Sequence, residues 1–487
     1  MKNSFALVSR TPPEIFSLIP DYCEDGERDD ASINSTHVCR RWRKLFISRS
    51  SLWTRLDCTS IEKTSVYIER SKTSPLEIRL HDNCTPTHSE EAFLLVVPHI
   101  GRVKTISSFS WMPFASDALF RVLVEHFSRP LPLLEKLEME VRCNPTPTFP
   151  STLFNGDLSS LRELSLAGVL MPLPPGNLEN LTVFNLSNIP AYKVLLTHLL
   201  DVFESAPHLH DVQLKHSALD PSNIPPGRIA TLPNLKKLMT IGYFDNSILL
   251  RHLSIPSGAQ VVLEFTFRGG DSSIPRHIPY TLDNLHNLSH ITSMNLCFGP
   301  KRRAMRLKGP SGELYTLGNW IRGRVDPEVG TARLLPFFNR FDISKCQFMG
   351  ITQYCSRTNP SLPITAWATY QFLFPMGNLR VLTLIESDSL AFILSLNPDK
   401  NPDNIVLCPT LEEIILYIDR PDRSHVDGLW DMAEERRLRG VKLSAITIIS
   451  TCALMPTMEV FRLREHVSRV EYKFDNAPPA WDTLPRA

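Results

Sequence analysis

Apolar residues recur along most of this chain in one six-residue pattern, L-x-x-L-x-L with substitutions. It reads "LEKLEM" from Leu134, "LRELSL" from Leu161, "LTVFNL" from Leu181, "LHDVQL" from Leu209 and "LKKLMT" from Leu235. It returns as "ITSMNL" from Ile291, "LRVLTL" from Leu379 and "LEEIIL" from Leu411. Apolar–polar alternation of this kind marks a strand with one buried face. A short "P-x-L" or "N-L" precedes most of the hexads, as in "APHLHDVQL" and "CPTLEEIIL". Between them lie stretches with helical spacing. Residues 192–207 are apolar at 194, 195, 199, 202 and 203, and residues 116–127 at 119, 122, 123 and 127. The first five hexads start about 20–28 residues apart. The interval from Leu235 to Ile291 is roughly twice that and leaves room for one more unit, with "QVVLEFTF" (260–267) as its strand.

The period matches the roughly 20–29 residues of leucine-rich repeats. Strand, turn and helix at that period predict an α/β solenoid, irregular here, with parallel strands on the concave side and helices outside. Leu164 and Leu166 would point into the core, while Ser165 and Ala167 face the concave surface. Such surfaces bind other macromolecules. Glu138, Glu140, Asn185, Gln213, Lys215, Thr383 and Tyr417 are the candidate concave-face contacts, each expected to be solvent-facing. Residues 299–376 break the pattern and read as an insertion or as diverged repeats, opening on a basic run "KRRAMRLK" (301–308) expected as an exposed loop. The tail holds two further strands, "SAITIIS" and "SRVEYKF", the first apolar enough to be buried.

The N-terminal part differs. Val38, Cys39, Trp42, Leu45 and Phe46 fall on one arc of a helical wheel, and Arg40, Arg41, Arg43 and Lys44 on the opposite arc. Asp30 or Ser32 is a candidate N-cap, and the acidic loop before the helix suits its dipole. "TPPEIFSLI" ahead of the loop has prolines at a first helical turn and an i, i+3, i+4 stripe of Ile15, Leu18 and Ile19. "SLWTRLD" behind the basic helix is a closing turn that carries Leu52 and Trp53. The prediction is three short helices with facing apolar stripes.

Composition narrows the picture. The chain has 487 residues and a formal net charge of +1, so no global field draws it to nucleic acid or membrane. Ten scattered cysteines without a CxxC read as reduced thiols in a cytoplasmic or nuclear compartment. The first residues contain no apolar run long enough for a signal-peptide core. Nucleic-acid binding through Arg40, Arg41, Arg43 and Lys44 is countered by the neighbouring acids. Cys39 sits on the apolar seam, which points to a buried structural thiol in preference to a nucleophile.

"PPEIFSLI", a variable acidic loop, "VCRRWRKL" and "SLWTRLD", in that order, resemble the F-box family, and "SVYIERSKTSPLEIRL" is similar to the segment that follows the F-box in many fungal members. The resemblance implies a module at 1–57 that docks on the Skp adaptor of SCF-type cullin–RING ubiquitin ligases. Matched by position, Pro13, Glu14, Ile15 and Ile19 belong to the first helix of that module, Val38, Cys39, Trp42 and Leu45 to the second, and Leu52 and Trp53 to the closing turn. Thr11, Pro20, Cys23 and Ser35 depart from the residues usual there, and an interior proline weakens a helix. The implied organisation is the F-box-like module at 1–57, a connecting segment at 58–110 and the repeat domain at 111–487.

No phosphate-binding loop, dinucleotide fingerprint, nucleophile elbow, HExxH or kinase signature is present. His81, Cys84 and His88 lack an evident fourth zinc ligand. The expectation is a non-enzymatic substrate receptor of a ubiquitin ligase, with a protein substrate and no cofactor, metal or membrane partner. The alternative is a repeat scaffold whose F-box has decayed.

Overall fold

The computed structural model describes residues 12, 14–15, 31–81, 86–109, 125–126, 129–141, 153–169, 177–189, 194–217, 219–242, 245–268, 277–298, 302–322, 340–353, 366–385, 389–419, 421, 423–450 and 462–475. The fold is α/β with a large, mostly parallel sheet component. The chain divides into two compact units, Met1–Asp211 with His216–Ser222, and Val212–Lys215 with Asn223–Ala487.

In the first unit, helices α1 (Ala31–Thr36) and α2 (Arg40–Ser48) and a 3-10 turn, Ser50–Trp53, lead into strand β1 (Arg55–Leu56). Helix α3 (Ile61–Ser71), β2 (Leu76–His81), α4 (Pro86–Val96) and β3 (Val103–Phe109) follow. Next come β4 (Lys136–Glu140), β5 (Glu163–Ala167) and β6 (Val183–Ser187). Strands β1 to β6 pair in parallel one after another in chain order. Helix α5 (Leu196–Ser205) succeeds β6, and two-residue strands β7 (Val194–Leu195) and β9 (Leu219–Asp220) form a small pair of their own. Phe203 of α5 meets Phe184 of β6 edge to face at 6.3 Å, which places the helix on the sheet face that carries Leu186.

In the second unit, β8 (Asp211–Lys215, all but its first residue) pairs with β11 (Lys237–Gly242), and β11 runs parallel to β13 (Gln260–Arg268). A short side pair joins β10 (Ala230–Thr231) to β12 (Leu253–Ser254), with helix α6 (Asn246–Leu250) between them in sequence. Strands β14 (Ser293–Phe298), β15 (Arg302–Lys308) and β16 (Glu313–Arg322) form an antiparallel meander. The meander folds back so that β16 lies against β13, in parallel, while β14 lies against β17 (Phe348–Gln353). The order in space is therefore β13, β16, β15, β14, β17, and only β15 runs against the others. The ladder continues in parallel through β18 (Val381–Ile385), β19 (Glu413–Ile418), β20 (Ala445–Ser450) and β21 (Arg469–Phe474). Helices α7 (Ala366–Leu373), α8 (Ser389–Leu396) and α9 (Arg423–Leu438) alternate with these strands.

Each hexad becomes a strand that begins two residues in. The leading Leu is instead buried in a tight turn: the N–H of Leu161 donates to Leu158, Leu181 to Leu178, Leu235 to Leu232 and Leu411 to Cys408. The turn satisfies backbone groups that burial would otherwise leave unpaired. This explains the recurring "P-x-L" and "N-L" before the strands.

Two sequence expectations need correction. Residues 302–308 form β15, a strand paired on both edges, not an exposed loop, and Ala304, Met305 and Leu307 are buried in it. The face opposite the main core in the second unit is also less open than alternation implies. Thr383 is 4% exposed, and Ser293, Cys297, Thr352, Ile385, Ala445 and Thr447 on the same side are buried. Cys297, Ala304 and Leu317 pack there as a small apolar cluster with Tyr315 beside them. Among the described residues, no helix is long and apolar enough to cross a membrane.

Candidate docking surfaces

The N-terminal helices are held from beneath. Phe46 and Trp53 are fully buried, and Trp42 stacks on Phe46 at 5.4 Å. The Trp53 ring meets Tyr67 of α3 edge to face at 5.0 Å, and the Arg70 guanidinium lies over it at 4.3 Å. Ser60 caps α3 by accepting from the Lys63 N–H at 3.2 Å, and the Lys63 ammonium pairs with the buried Asp57 at 3.2 Å. Ser74 and Ser50 join their hydroxyls at 2.7 Å. The corner between α1 and α2 closes where Arg43 Nε donates to the Thr36 carbonyl at 2.9 Å.

The helix starts later than the wheel predicted. Cys39 is its N-cap, in extended conformation (φ −159°), and Val38 precedes it. Both therefore leave the helical seam. Val38 is 58% exposed and Cys39 is an exposed free thiol, not the buried one expected. Trp42 and Leu45 are half-buried. Leu52 and Trp53, matched to the docking turn, are interior residues. Glu14 and Ile15 are exposed; Pro13, Ile19, Pro20 and Cys23 lie outside the described residues. Asp30, a candidate cap, also lies outside them, and Ser32 falls inside α1. Arg40, Arg41, Arg43 and Lys44 are exposed. Around α2 the accessible apolar side chains are thus Val38 and Cys39, just ahead of the helix, and the half-buried Trp42 and Leu45 on it, with the exposed bases Arg40, Arg41, Arg43 and Lys44 among them.

The second candidate surface is the strand face away from the helices. Glu138, Ser165 and Asn185 stand side by side in register on β4, β5 and β6, and Asn185 Nδ2 donates to Ser165 Oγ at 2.9 Å. Lys136 lies between Glu138 at 3.5 Å and Glu163 at 3.2 Å. Burial lowers its pKa, but the two carboxylates outweigh that and hold the ammonium above its usual range. Glu140, Gln213, Lys215 and Tyr417 are half-buried. Burial raises the Tyr417 phenol, helped by Asp475. Of the seven candidates, Glu138, Glu140 and Asn185 belong to the first unit and Gln213, Lys215, Thr383 and Tyr417 to the second.

Several exposed charges among the described residues pair with one another. Arg55 pairs with Glu77 at 3.2 Å and Lys104 with Glu135 at 3.3 Å. In the second unit Arg380 binds Glu412 through two bonds of 3.0 and 2.9 Å, and Arg469 reaches Glu413 at 3.1 Å. Exposed pairs of this kind add little to stability but fix side-chain positions.

No known family model matches the sequence, and no curated protein matches it either. The chemistry must be read from the residues themselves. Among the described residues no group of three or more His, Cys, Asp or Glu is placed to hold a metal ion. The apolar cluster at Cys297 was missed from sequence. Its signal was faint: "NLCF" and "RAM" hold small or apolar residues where strict alternation would place polar ones.

Proposed function

We propose that the chain is a substrate-receptor subunit of an SCF-type cullin–RING ubiquitin ligase. The apolar side chains around α2 dock on the Skp adaptor, and a leucine-rich-repeat-like solenoid holds the protein substrate. One observation carries the reading. Phe46 and Trp53 anchor α2 internally, while Val38, Cys39, Trp42 and Leu45 beside them stay accessible on the chain alone. Accessible apolar side chains on and just ahead of an anchored helix are what a helix-docking partner requires. On this reading the chain contributes proximity: it raises the effective concentration of a substrate lysine near the charged ubiquitin-conjugating enzyme.

Co-purification of the full chain with the Skp adaptor tests the proposal. Wild type should bind and Val38→Glu should bind at least about tenfold more weakly, a loss of roughly 1.4 kcal/mol. A folded wild type that fails to bind overturns the ligase role. If Pro20→Phe with Ser35→Leu then restores binding, the scaffold with a decayed F-box takes its place.

A further inference from the structure

Unpaired cations gather where the first three strands begin. The 3-10 turn Ser50–Trp53 leads into β1, and the end of α3 with residues 72–75 leads into β2. A second 3-10 turn, Val97–Arg102, leads into β3. These strands are parallel neighbours, so the three lead-ins lie at one edge of the sheet. Two interstrand spacings make that edge about 10 Å wide.

Hydrogen bonds knit the edge together. An Arg102 guanidinium N–H donates to Ser71 Oγ, which itself donates to the Ile68 carbonyl at 2.9 Å. The N–H of Ser74 donates to the Ser71 carbonyl at 3.0 Å. The hydroxyls of Ser74 and Ser50 share one proton between them and keep the other to donate. Lys72 is exposed and stands between Ser71 and Ser74 in the chain, and Arg70 lies over the Trp53 ring.

Among the described residues no carboxylate pairs with Arg70, Lys72 or Arg102. The stretches 49–53, 70–75 and 97–102 contain no acid. Burial draws the Arg102 pKa down with no carboxylate to oppose it, and its Nε is buried without an acceptor. The dipole of α3 favours cations at this end but supplies only about half a charge. Three uncompensated cations and an orphaned N–H on one edge call for an anion.

We propose that the leading edge of β1, β2 and β3 binds a small molecule carrying two phosphate groups. Phosphate suits the mixed donors: its terminal oxygens accept from guanidinium, ammonium and hydroxyl in several directions at once. One phosphate monoester carries about −1.5 to −2 at pH 7, so three cations call for a second. The edge spans both groups but is short for nucleic acid, which engages proteins through several phosphates along its length. Single strands also stack on accessible rings, and Trp53 is buried. The edge uses none of Val38, Cys39, Trp42 and Leu45, so it passes or fails independently of adaptor docking.

The test is calorimetric titration of the full chain at fixed ionic strength. The probes are fructose bisphosphate, fructose monophosphate, inorganic phosphate, a phosphoserine peptide and single-stranded DNA. The bisphosphate should bind at least about tenfold more tightly than the monophosphate and should raise the melting temperature. Lys72→Gln, at an exposed position, should weaken the bisphosphate about tenfold and should melt like wild type without ligand. Arg102→Gln should weaken it as well, and Arg437→Gln in the last turn of α9 should leave it unchanged. The proposal is overturned if the bisphosphate binds no tighter than inorganic phosphate, or if Lys72→Gln and Arg102→Gln both bind it like wild type. Tighter binding of the peptide or the DNA than of the bisphosphate overturns it too, in favour of a macromolecular partner.

Discussion

The indole N–H of Trp53 donates to the backbone carbonyl of Phe46 at 2.9 Å, inside the fold. That bond ties the 3-10 turn to the last turn of α2 and satisfies both partners in a place water does not reach. Trp53→Phe should destabilise the protein by about 2–4 kcal/mol, from lost volume and an unpaired carbonyl. Val38→Ala should change stability by less than about 0.5 kcal/mol. Urea unfolding separates the two, and equal effects would mean that Trp53 is not an anchor.

Cys39 is the one exposed thiol among the described cysteines; Cys58, Cys297, Cys346 and Cys408 are buried. Alkylation of the folded protein, mapped by mass spectrometry, should modify Cys39 and spare those four. If α2 docks as proposed, bound Skp adaptor should protect Cys39. Undiminished labelling in a stable complex would place the adaptor elsewhere.

Burial pushes the thiols of Cys58, Cys346 and Cys408 up to about 12. In the unfolded chain they ionise near pH 9, so between pH 9 and 12 the unfolded state holds fewer protons than the folded one. Stability should therefore fall with rising pH in that window, by about 1.4 kcal/mol per pH unit for each thiol. Arg436, lowered to about 10 by burial, opposes this trend above pH 10. Thermal melts across pH 8 to 11 check the sign, and a flat profile would contradict the burial of the thiols.

Gly312 closes the turn between β15 and β16, where Gly309 N–H donates to its carbonyl at 2.9 Å. A Cβ at Gly312 would stand 2.2 Å from the Ser257 carbonyl oxygen, in the loop before β13. Gly312→Ala should cost at least about 2 kcal/mol, because backbone on both sides must shift. A variant as stable as wild type would show that the turn relaxes freely.

The strands were legible because their signal is local. Leu164 and Leu166, or Val212 and Leu214, alternate with more polar neighbours, and a period of two is enough to name a strand and its buried face. Basic runs were not legible. Arg306 and Lys308 share one side of β15 and Met305 and Leu307 the other, but the charges masked that alternation in "RRAMRLK". The docking side chains were legible in part. The wheel grouped Val38, Cys39, Trp42, Leu45 and Phe46, but no periodicity distinguishes Phe46, which turns inward, from Leu45, which stays half-exposed.

By itself the sequence determined an α/β chain of short strands and helices, with the hexad positions that enter the core, since alternation and helical spacing are properties of neighbouring residues. Tertiary structure alone decided that the meander folds back between β13 and β14, and that Trp53 and Leu52 belong to the interior. Each depends on which strand or helix lies alongside another. That pairing is settled by packing and register between residues far apart in the chain, about which local periodicity carries no information.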